Sequence, residues 1–308
     1  MNFPWLQPVE AEFAERFESG RLAHALLLSG AAGTGKQSLA RGWIASLLCL
    51  ENRNPACGKC RSCQLIKTGA HPDYRLVTFE INEKSGKIRT EIVVDQVRSL
   101  ISSLQLTTTI SVRKVALIHP AEALNRNAAN ALLKTLEEPP GDTVIMLVSD
   151  DPVRLTATIR SRCQNLLVRL PDRATALEWL LDAGDYQTED VRAALVAAAG
   201  SPLKAQHMLE DGSTDQFHQL QATLSCLKEG TAGSAVGALA EIDPERLWVW
   251  LSLCAAEKVR QHLDDRETAR RLSGLQSQAD RNRFLLPSPV RKDFLLQEWL
   301  IQWAEVNV

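Results

Sequence analysis

The stretch Ala25-Leu26-Leu27-Leu28-Ser29-Gly30-Ala31-Ala32-Gly33-Thr34-Gly35-Lys36 decides the fold. Its apolar start is typical of a buried strand, and its glycine-rich remainder fits a phosphate-binding loop up to the lysine. Glycines let backbone N–H groups turn toward phosphate oxygens, and the N-terminus of the following helix adds a positive dipole. The candidate nucleotide-binding residues are therefore Gly30, Gly33, Gly35 and Lys36. The alternative is a glycine-rich turn that holds no ligand.

Further apolar runs indicate the fold class. Because the runs are short, several are rich in Val and Ile, and helix-like segments separate them, they predict a parallel α/β sheet rather than short buried helices. The runs are 75–79, 115–118, 144–148 and 166–168. After Pro171 the chain is rich in Ala, Leu, Glu, Arg and Gln and shows helical patterns. These cover 174–181, 189–199, 217–227, 244–264 and 292–303, with a further short helix from about 202 to 211. The predicted class is α/β followed by all-α.

The residues that would hold Mg²⁺ and activate water are absent from their expected positions. Gln37 stands where a phosphate loop normally carries the Ser or Thr that ligates Mg²⁺. Ser38 comes one residue late, which turns it by about 100° around a helix. A metal-binding and a catalytic acid are expected after the run 115–118, but His119 and Pro120 follow it, and Glu122 is out of register. We therefore expect no ATP hydrolysis by this chain, and ATP or ADP binding that is weak or absent.

Four cysteines predict a metal site. The segment Cys57-Gly58-Lys59-Cys60-Arg61-Ser62-Cys63 places three of them at the spacing of a zinc knuckle, and Cys49 lies eight residues earlier. Four thiolates complete a tetrahedral zinc site with no open position, so the zinc would be structural. An iron–sulfur cluster and free thiols are the alternatives. The predicted ligands are Cys49, Cys57, Cys60 and Cys63, whereas Cys226 and Cys254 fall in helical patterns and are interpreted as buried thiols.

Composition limits the classes of function and the cellular location that the chain can have. At 308 residues and 45% hydrophobic the chain can bury ample core, and its formal net charge of −2 provides no global basic field for nucleic acid. Neither a signal peptide nor an apolar run of about 18 residues is present in the sequence, so a cytoplasmic location is expected. In that compartment cysteines are more often metal ligands or reduced thiols than disulfides. The segment Lys84-Ser85-Gly86-Lys87 predicts an exposed loop tip.

An arginine precedes the last apolar run of the α/β part. Arg162, between Ser161 and Cys163, follows Thr158-Ile159-Arg160. An arginine on an exposed loop can reach a neighbouring protein's active site and stabilise the charge on a transferred phosphoryl group. From these residues alone, an ordinary surface arginine is the simpler interpretation.

Taken together, the chain resembles the delta-prime family of bacterial DNA polymerase III clamp-loader subunits, within the AAA+ superfamily. The stretches that carry the resemblance span residues 4 to about 170. They are Pro4-Trp5-Leu6 with 21–27, the phosphate loop with its four-cysteine insertion, Gly69-Ala70-His71-Pro72-Asp73-Tyr74, 128–140 (AANALLKTLEEPP) and Ser161-Arg162-Cys163.

The resemblance implies three domains. They are a RecA-like AAA+ domain over 1–168 that contains the zinc module at about 49–63, a helical lid over 169–211, and a C-terminal helical collar over 212–308. It also implies a non-hydrolysing subunit of a hetero-pentameric ring that loads the sliding clamp onto primed DNA. The implied partners are the motor ATPase and clamp-opening subunits, the clamp and DNA, with no membrane.

The resemblance assigns roles to residues as well. Arg162, within the Ser161–Cys163 motif, becomes an arginine that acts in trans at the ATP site of a neighbouring motor subunit, and the four cysteines become zinc ligands. Leu203 stands where active relatives carry a nucleotide-sensing arginine, with Lys204 beside it. An active AAA+ ATPase subunit and a stand-alone zinc-containing DNA-binding protein are the competing hypotheses. ATP turnover distinguishes the first, and tight, salt-dependent DNA binding by the isolated chain distinguishes the second.

Overall fold

A parallel sheet organises the first part of the chain. The computed structural model describes residues 3–82, 86–228 and 230–306. Within them the strands are β1 (Ala25–Ser29), β2 (Tyr74–Val77), β3 (Lys114–Ile118), β4 (Thr143–Ser149) and β5 (Gln164–Leu167). They lie in the order β2-β3-β4-β1-β5, and every pair is parallel. The five apolar runs of the sequence are therefore confirmed as strands.

Helices cover both faces of this sheet, which explains why its strands read as continuous apolar runs. They are α1 (Gln7–Glu18), α2 (Lys36–Leu48), α3 (Arg61–Lys67), α4 (Val94–Leu104), α5 (Arg126–Glu137) and α6 (Ala157–Arg160). α1 and α2 contribute to the core on one face, where the rings of Phe13 and Trp43 stack with centroids 4.2 Å apart. α4, α5 and α6 contribute to the core on the other face. β1, β3 and β4 are buried along their whole length.

The second part of the chain is helical throughout the residues that the structure describes. Its helices are α7 (Arg173–Ala183), α8 (Thr188–Ala197), α9 (Pro202–Glu210), α10 (Ser213–Ser225), α11 (Ala232–Ala238), α12 (Pro244–Gln261), α13 (Arg266–Leu285) and α14 (Lys292–Val306). A small core joins α7, α8 and α9. A larger core contains four buried tryptophans: Trp248, Trp250, Trp299 and Trp303. The predicted class, α/β followed by all-α, is confirmed.

The chain divides into two compact units, Met1–Pro171 and Asp172–Val308. The further boundary between residues 211 and 212, which would separate a lid from a collar, stays a prediction. Among the described residues, no helix is both long and apolar enough to span a membrane.

Three details differ from the sequence interpretation or fall beyond the structure. Neither α11 nor α13 has a counterpart among the predicted helices. Cys226, expected to be buried, is exposed because it lies just after the last residue of α10, where the chain leaves the helix. Of the predicted loop tip, Gly86 and Lys87 are exposed, whereas Lys84 and Ser85 lie outside the described residues.

Candidate phosphate loop, metal centre and arginine

The phosphate loop connects the end of β1 to the start of α2, at the carboxyl edge of the sheet where ligands of open α/β sheets bind. Gly30, Gly33 and Gly35 all have positive φ angles. At Gly30 no side chain fits, because a Cβ atom would lie 2.0 Å from the carbonyl oxygen of Val168. The structure thus brings the predicted loop glycines together in one turn.

Lys36 points back into its own loop. Its Nζ donates to the carbonyl oxygens of Gly30 at 2.8 Å and Ala31 at 2.6 Å, and it lies 2.7 Å from Oδ1 of Asp150. The lysine is only 3% exposed. Asp150 follows β4, which pairs directly with β1, and this pairing brings the carboxylate to the lysine.

The N-terminal segment lies against the same loop. Nε1 of Trp5 donates to the carbonyl oxygen of Thr34 at 2.8 Å. The ring of Phe3 would be 3.1 Å from a Cβ atom at Gly35. Two aromatic side chains, Phe3 and Trp5, therefore pack against the phosphate loop.

The structure also places the side chains that stand at the expected Mg²⁺ positions. Gln37 and Ser38 are both exposed on the first turn of α2. Nδ1 of His119 is buried and has no hydrogen-bond partner within the described residues. Glu122, the acid that lies out of register in the sequence, accepts the backbone N–H of Asp150 at 3.0 Å. Because Mg²⁺ prefers oxygen ligands, an imidazole and a carboxylate already bonded to the backbone are poor replacements for an acidic pair.

The four predicted metal ligands do come together. The Sγ atoms of Cys49, Cys57, Cys60 and Cys63 all lie within 4.8 Å of one another, and those of Cys57 and Cys63 are 3.9 Å apart. Tetrahedral zinc with Zn–S bonds of about 2.3 Å requires sulfur–sulfur separations of about 3.8 Å. The donor set therefore fits zinc.

Backbone N–H groups point at three of these sulfurs. Cys49 Sγ accepts from the N–H of Cys57, Cys57 Sγ from that of Cys60, and Cys60 Sγ from that of Cys63, at 3.4 to 3.5 Å. Burial tends to raise the pKa of Cys49, but the backbone N–H groups of Cys57, Glu51 and Arg53, together with the Cys57 thiol, lower it overall. Burial raises the pKa of the Cys63 thiol to about 12, so this sulfur needs a cation to become a thiolate.

A buried polar network joins the cysteine module to the sheet domain. Ser62 and Ser111 both donate to the carbonyl oxygen of Leu48, the last residue of α2, at 2.6 and 2.8 Å. His71 Nε2 lies 2.8 Å from the Ser62 hydroxyl, and its Nδ1 accepts the N–H of Asp73 at 3.1 Å. Because Nδ1 is an acceptor, the proton of the neutral ring is on Nε2, so the ring cannot act as a base toward Ser62.

Asp73 completes this network. Its carboxylate accepts the backbone N–H groups of Thr109, Ile110 and Ser111 at 2.7 to 2.8 Å. Burial would raise the pKa of Asp73, but these three N–H donors lower it overall. Burial lowers the pKa of His71, which Asp73 opposes electrostatically. The histidine and aspartate of the Gly69–Tyr74 stretch are therefore structural residues.

Arg162 lies between α6 and β5, with about a third of its side chain exposed. Its Nε donates to Oε1 of Glu137 at 2.5 Å, and its Nη1 donates to the carbonyl oxygen of Thr158 at 3.0 Å. Cys163 is different in character, because burial raises the pKa of its thiol to about 12 and keeps it protonated near neutral pH. The Ser161–Cys163 motif therefore places a partly exposed cation, Arg162, next to a thiol that packs against the hydrophobic core.

Several site residues have no signal in the sequence. Asp150 and Glu137 are partners of the loop lysine and the arginine, yet each lies far away in sequence from the residue it contacts. The only available hint for Asp150 is an acid directly after a buried strand. A parallel sheet gathers such residues at the edge that carries the phosphate loop.

Strand, glycine-rich turn and helix in this order define a P-loop protein. A family model described as "DNA polymerase III, delta subunit" matches residues 6–172. DNA polymerase III subunit delta' of Pseudomonas aeruginosa is 37% identical, with 99% of this chain and 98% of the relative covered. The protein of that name from Escherichia coli is 34% identical, covering 84% of this chain and 77% of the relative. A DNA polymerase III gamma subunit-related protein from Thermotoga maritima has a similar structure with a TM-score of 0.49, 15% identity, and coverage of 97% and 99%. The chain belongs to the delta-prime subunit family of DNA polymerase III.

Proposed function

We propose that this chain is a non-hydrolysing subunit of a DNA polymerase III clamp loader, which helps to place the sliding clamp on primed DNA. Membership of the delta-prime family supports the clamp-loader role. The observation that carries the non-hydrolysing part is the set of side chains around the phosphate loop. Gln37, His119 and Pro120 occupy the positions where catalysis needs a hydroxyl and two acids.

Arg162 is the proposed active group of the subunit. A protein that cannot assemble its own hydrolytic site can still donate a cation to a neighbour's site, where a guanidinium stabilises charge that develops on the transferred phosphoryl group. The partial exposure of Arg162 and its place on the segment before an edge strand support this role. The partners that it requires are motor ATPase subunits of a ring that also contains a clamp-opening subunit.

Zinc is the proposed cofactor, held by Cys49, Cys57, Cys60 and Cys63. Four sulfur ligands leave no position for water, so the ion would fold the module and supply no catalytic chemistry. The buried network at His71 and Asp73 then ties the folded module to the sheet domain.

ATP turnover by the purified chain, compared with Lys36→Ala, tests the non-hydrolysing assignment. Turnover no higher than in Lys36→Ala supports it. Turnover that disappears in Lys36→Ala would make the chain a working ATPase, which is the alternative that the complete glycine pattern leaves open. The same samples titrated with primed DNA at two salt concentrations test the third hypothesis, because a stand-alone DNA-binding protein binds tightly and loses affinity steeply with salt.

A further inference from the structure

We propose that Asp150 is an internal counter-ion that occupies Lys36 and thereby sets how weakly the phosphate loop binds nucleotide. The proposal concerns the ion pair between Lys36 and Asp150, which the sequence did not indicate. It rests on the proposed non-hydrolysing role, because a motor subunit must exchange nucleotide at this loop and a static subunit need not.

The first argument is the complete use of the lysine's hydrogen-bonding capacity. An ammonium group has three N–H donors and accepts nothing. In Lys36 the three short contacts go to the carbonyl oxygens of Gly30 and Ala31 and to the carboxylate of Asp150, at 2.6 to 2.8 Å. A phosphate group can therefore accept a hydrogen bond from Lys36 only by displacing one of these three acceptors.

The second argument is burial. Lys36 is 3% exposed, whereas the side chain of Asp150 is 38% exposed. A buried cation without a partner is strongly destabilising, so the loop lysine needs an anion at this position. Asp150 is that anion, and an incoming phosphate would offer negative charge to the same Nζ atom.

The third argument is that Asp150 is held in place. It directly follows β4, whose last residue, Ser149, pairs with Ser29 at the end of β1. Its backbone N–H donates to Oε1 of Glu122 at 3.0 Å. The carboxylate therefore does not have to be ordered each time it meets the lysine.

Charge adds to this competition. Asp150 places one carboxylate on the loop lysine, and Glu122 places a second one on the backbone N–H of Asp150. Like charges at short separation repel, although water screens this repulsion in part because the Asp150 side chain is 38% exposed. An entering phosphate must therefore displace one carboxylate and approach both.

The test is calorimetric titration of the full-length chain with ADP and with inorganic triphosphate, each with Mg²⁺ and without a chelator that would attack the cysteine site. Asp150→Asn keeps the size of the side chain and removes its charge. We expect it to bind ADP at least about tenfold more tightly than the unaltered chain. The variant no longer repels the phosphates of ADP at residue 150, and the buried ammonium of Lys36 is left without a counter-ion until a phosphate binds. Asp151→Asn makes the same change of net charge at an exposed neighbour and should leave the affinity unchanged.

Equal affinities in the unaltered chain and Asp150→Asn would overturn the proposal, and so would an equal gain in Asp151→Asn. Circular dichroism and zinc content establish that each variant is folded. If Asp150→Asn does not fold, Asp150→Ser replaces it with the same expected gain. ATP turnover measured on the same samples separates the two ideas. If the unaltered chain binds ADP tightly but does not hydrolyse ATP, the counter-ion role of Asp150 is refuted and the non-hydrolysing role is not. If the unaltered chain hydrolyses ATP, the non-hydrolysing role is refuted.

Discussion

The guanidinium of Arg162 is bound to the carboxylate of Glu137, which ends α5 on the segment that precedes β4. The bond uses the Nε edge of the arginine, and Nη1 is used by the carbonyl oxygen of Thr158. The guanidinium plane is thus oriented from two sides before any partner arrives. In the proposed trans role, this orientation reduces the cost of ordering the side chain at the neighbour's phosphates.

Replacing Arg162 with Ala should slow ATP hydrolysis by the assembled ring. An arginine that stabilises transition-state charge in trans contributes on the order of 10³-fold or more to the rate. The measurement is the ATPase rate of the reconstituted ring in the presence of clamp and primed DNA. Arg160→Ala, which removes an exposed arginine two residues away, is the matched control and should leave the rate unchanged. An unchanged rate with Arg162→Ala would remove the arginine from the mechanism.

Glu137→Gln should reduce the same rate by a smaller factor, since misplacing a catalytic group by about 1 Å can cost on the order of 10²-fold. The loss should appear in kcat, because the arginine is present but poorly oriented. Glu138→Gln makes the same change of net charge at the next residue, which is exposed, and should leave the ATPase rate unchanged. Chain stability should change little in either variant, because the Arg162–Glu137 pair is partly exposed. A rate with Glu137→Gln equal to that of the unaltered ring would argue against a positioning role.

Cys60→Ser should release zinc and lower the melting temperature, because the binding energy of a structural ion is part of the folding free energy. Zinc content by mass spectrometry and thermal unfolding by circular dichroism measure the two effects. Cys226→Ser, at an exposed thiol outside the cluster, should alter neither. Retention of about one zinc ion per chain in Cys60→Ser would contradict the four-cysteine ligand set.

Acid should weaken the junction between the cysteine module and the sheet. Burial lowers the pKa of His71, so the folded chain favours the neutral ring and the unfolded chain binds the proton more readily. Its contribution is complete above the unfolded pKa of about 6.5 and is lost as pH falls below that value. The pKa of Asp73 is lowered as well, so its contribution to the stability of the folded chain is lost as pH falls below about 3.9.

The free energy of unfolding from pH 8 to pH 5 tests the histidine part of this prediction. His71→Gln should be less stable than the unaltered chain at pH 8, by about 1–3 kcal/mol for a disrupted buried hydrogen bond. The difference should shrink toward pH 5, where the unaltered chain loses the same contribution. Since both proteins carry the four cysteines, proton-driven loss of zinc affects them alike. A difference that stays constant with pH would show that His71 does not titrate as expected.

The sheet could be predicted from the sequence because its central strands are buried on both faces and therefore read as short apolar runs. The cysteine cluster could be predicted because three of its four members are local in sequence. α13 could not, because its buried residues Leu272, Leu275 and Ala279 form a narrow stripe in a helix that is otherwise polar. The partners of Lys36 and Arg162 are set by strand order and helix packing, and no local pattern carries that information.

α2 connects the phosphate loop to the cysteine cluster as one continuous helix. It begins at Lys36, whose ammonium is bonded inside the loop, and ends at Leu48, whose carbonyl oxygen receives two serine hydroxyls beside the cysteine cluster. At about 1.5 Å per residue, its 13 residues span about 20 Å. A rod fastened at both ends cannot swing about either one without breaking bonds at the other. α2 therefore holds the phosphate loop and the cysteine cluster at a fixed separation of about 20 Å within the first unit of the chain.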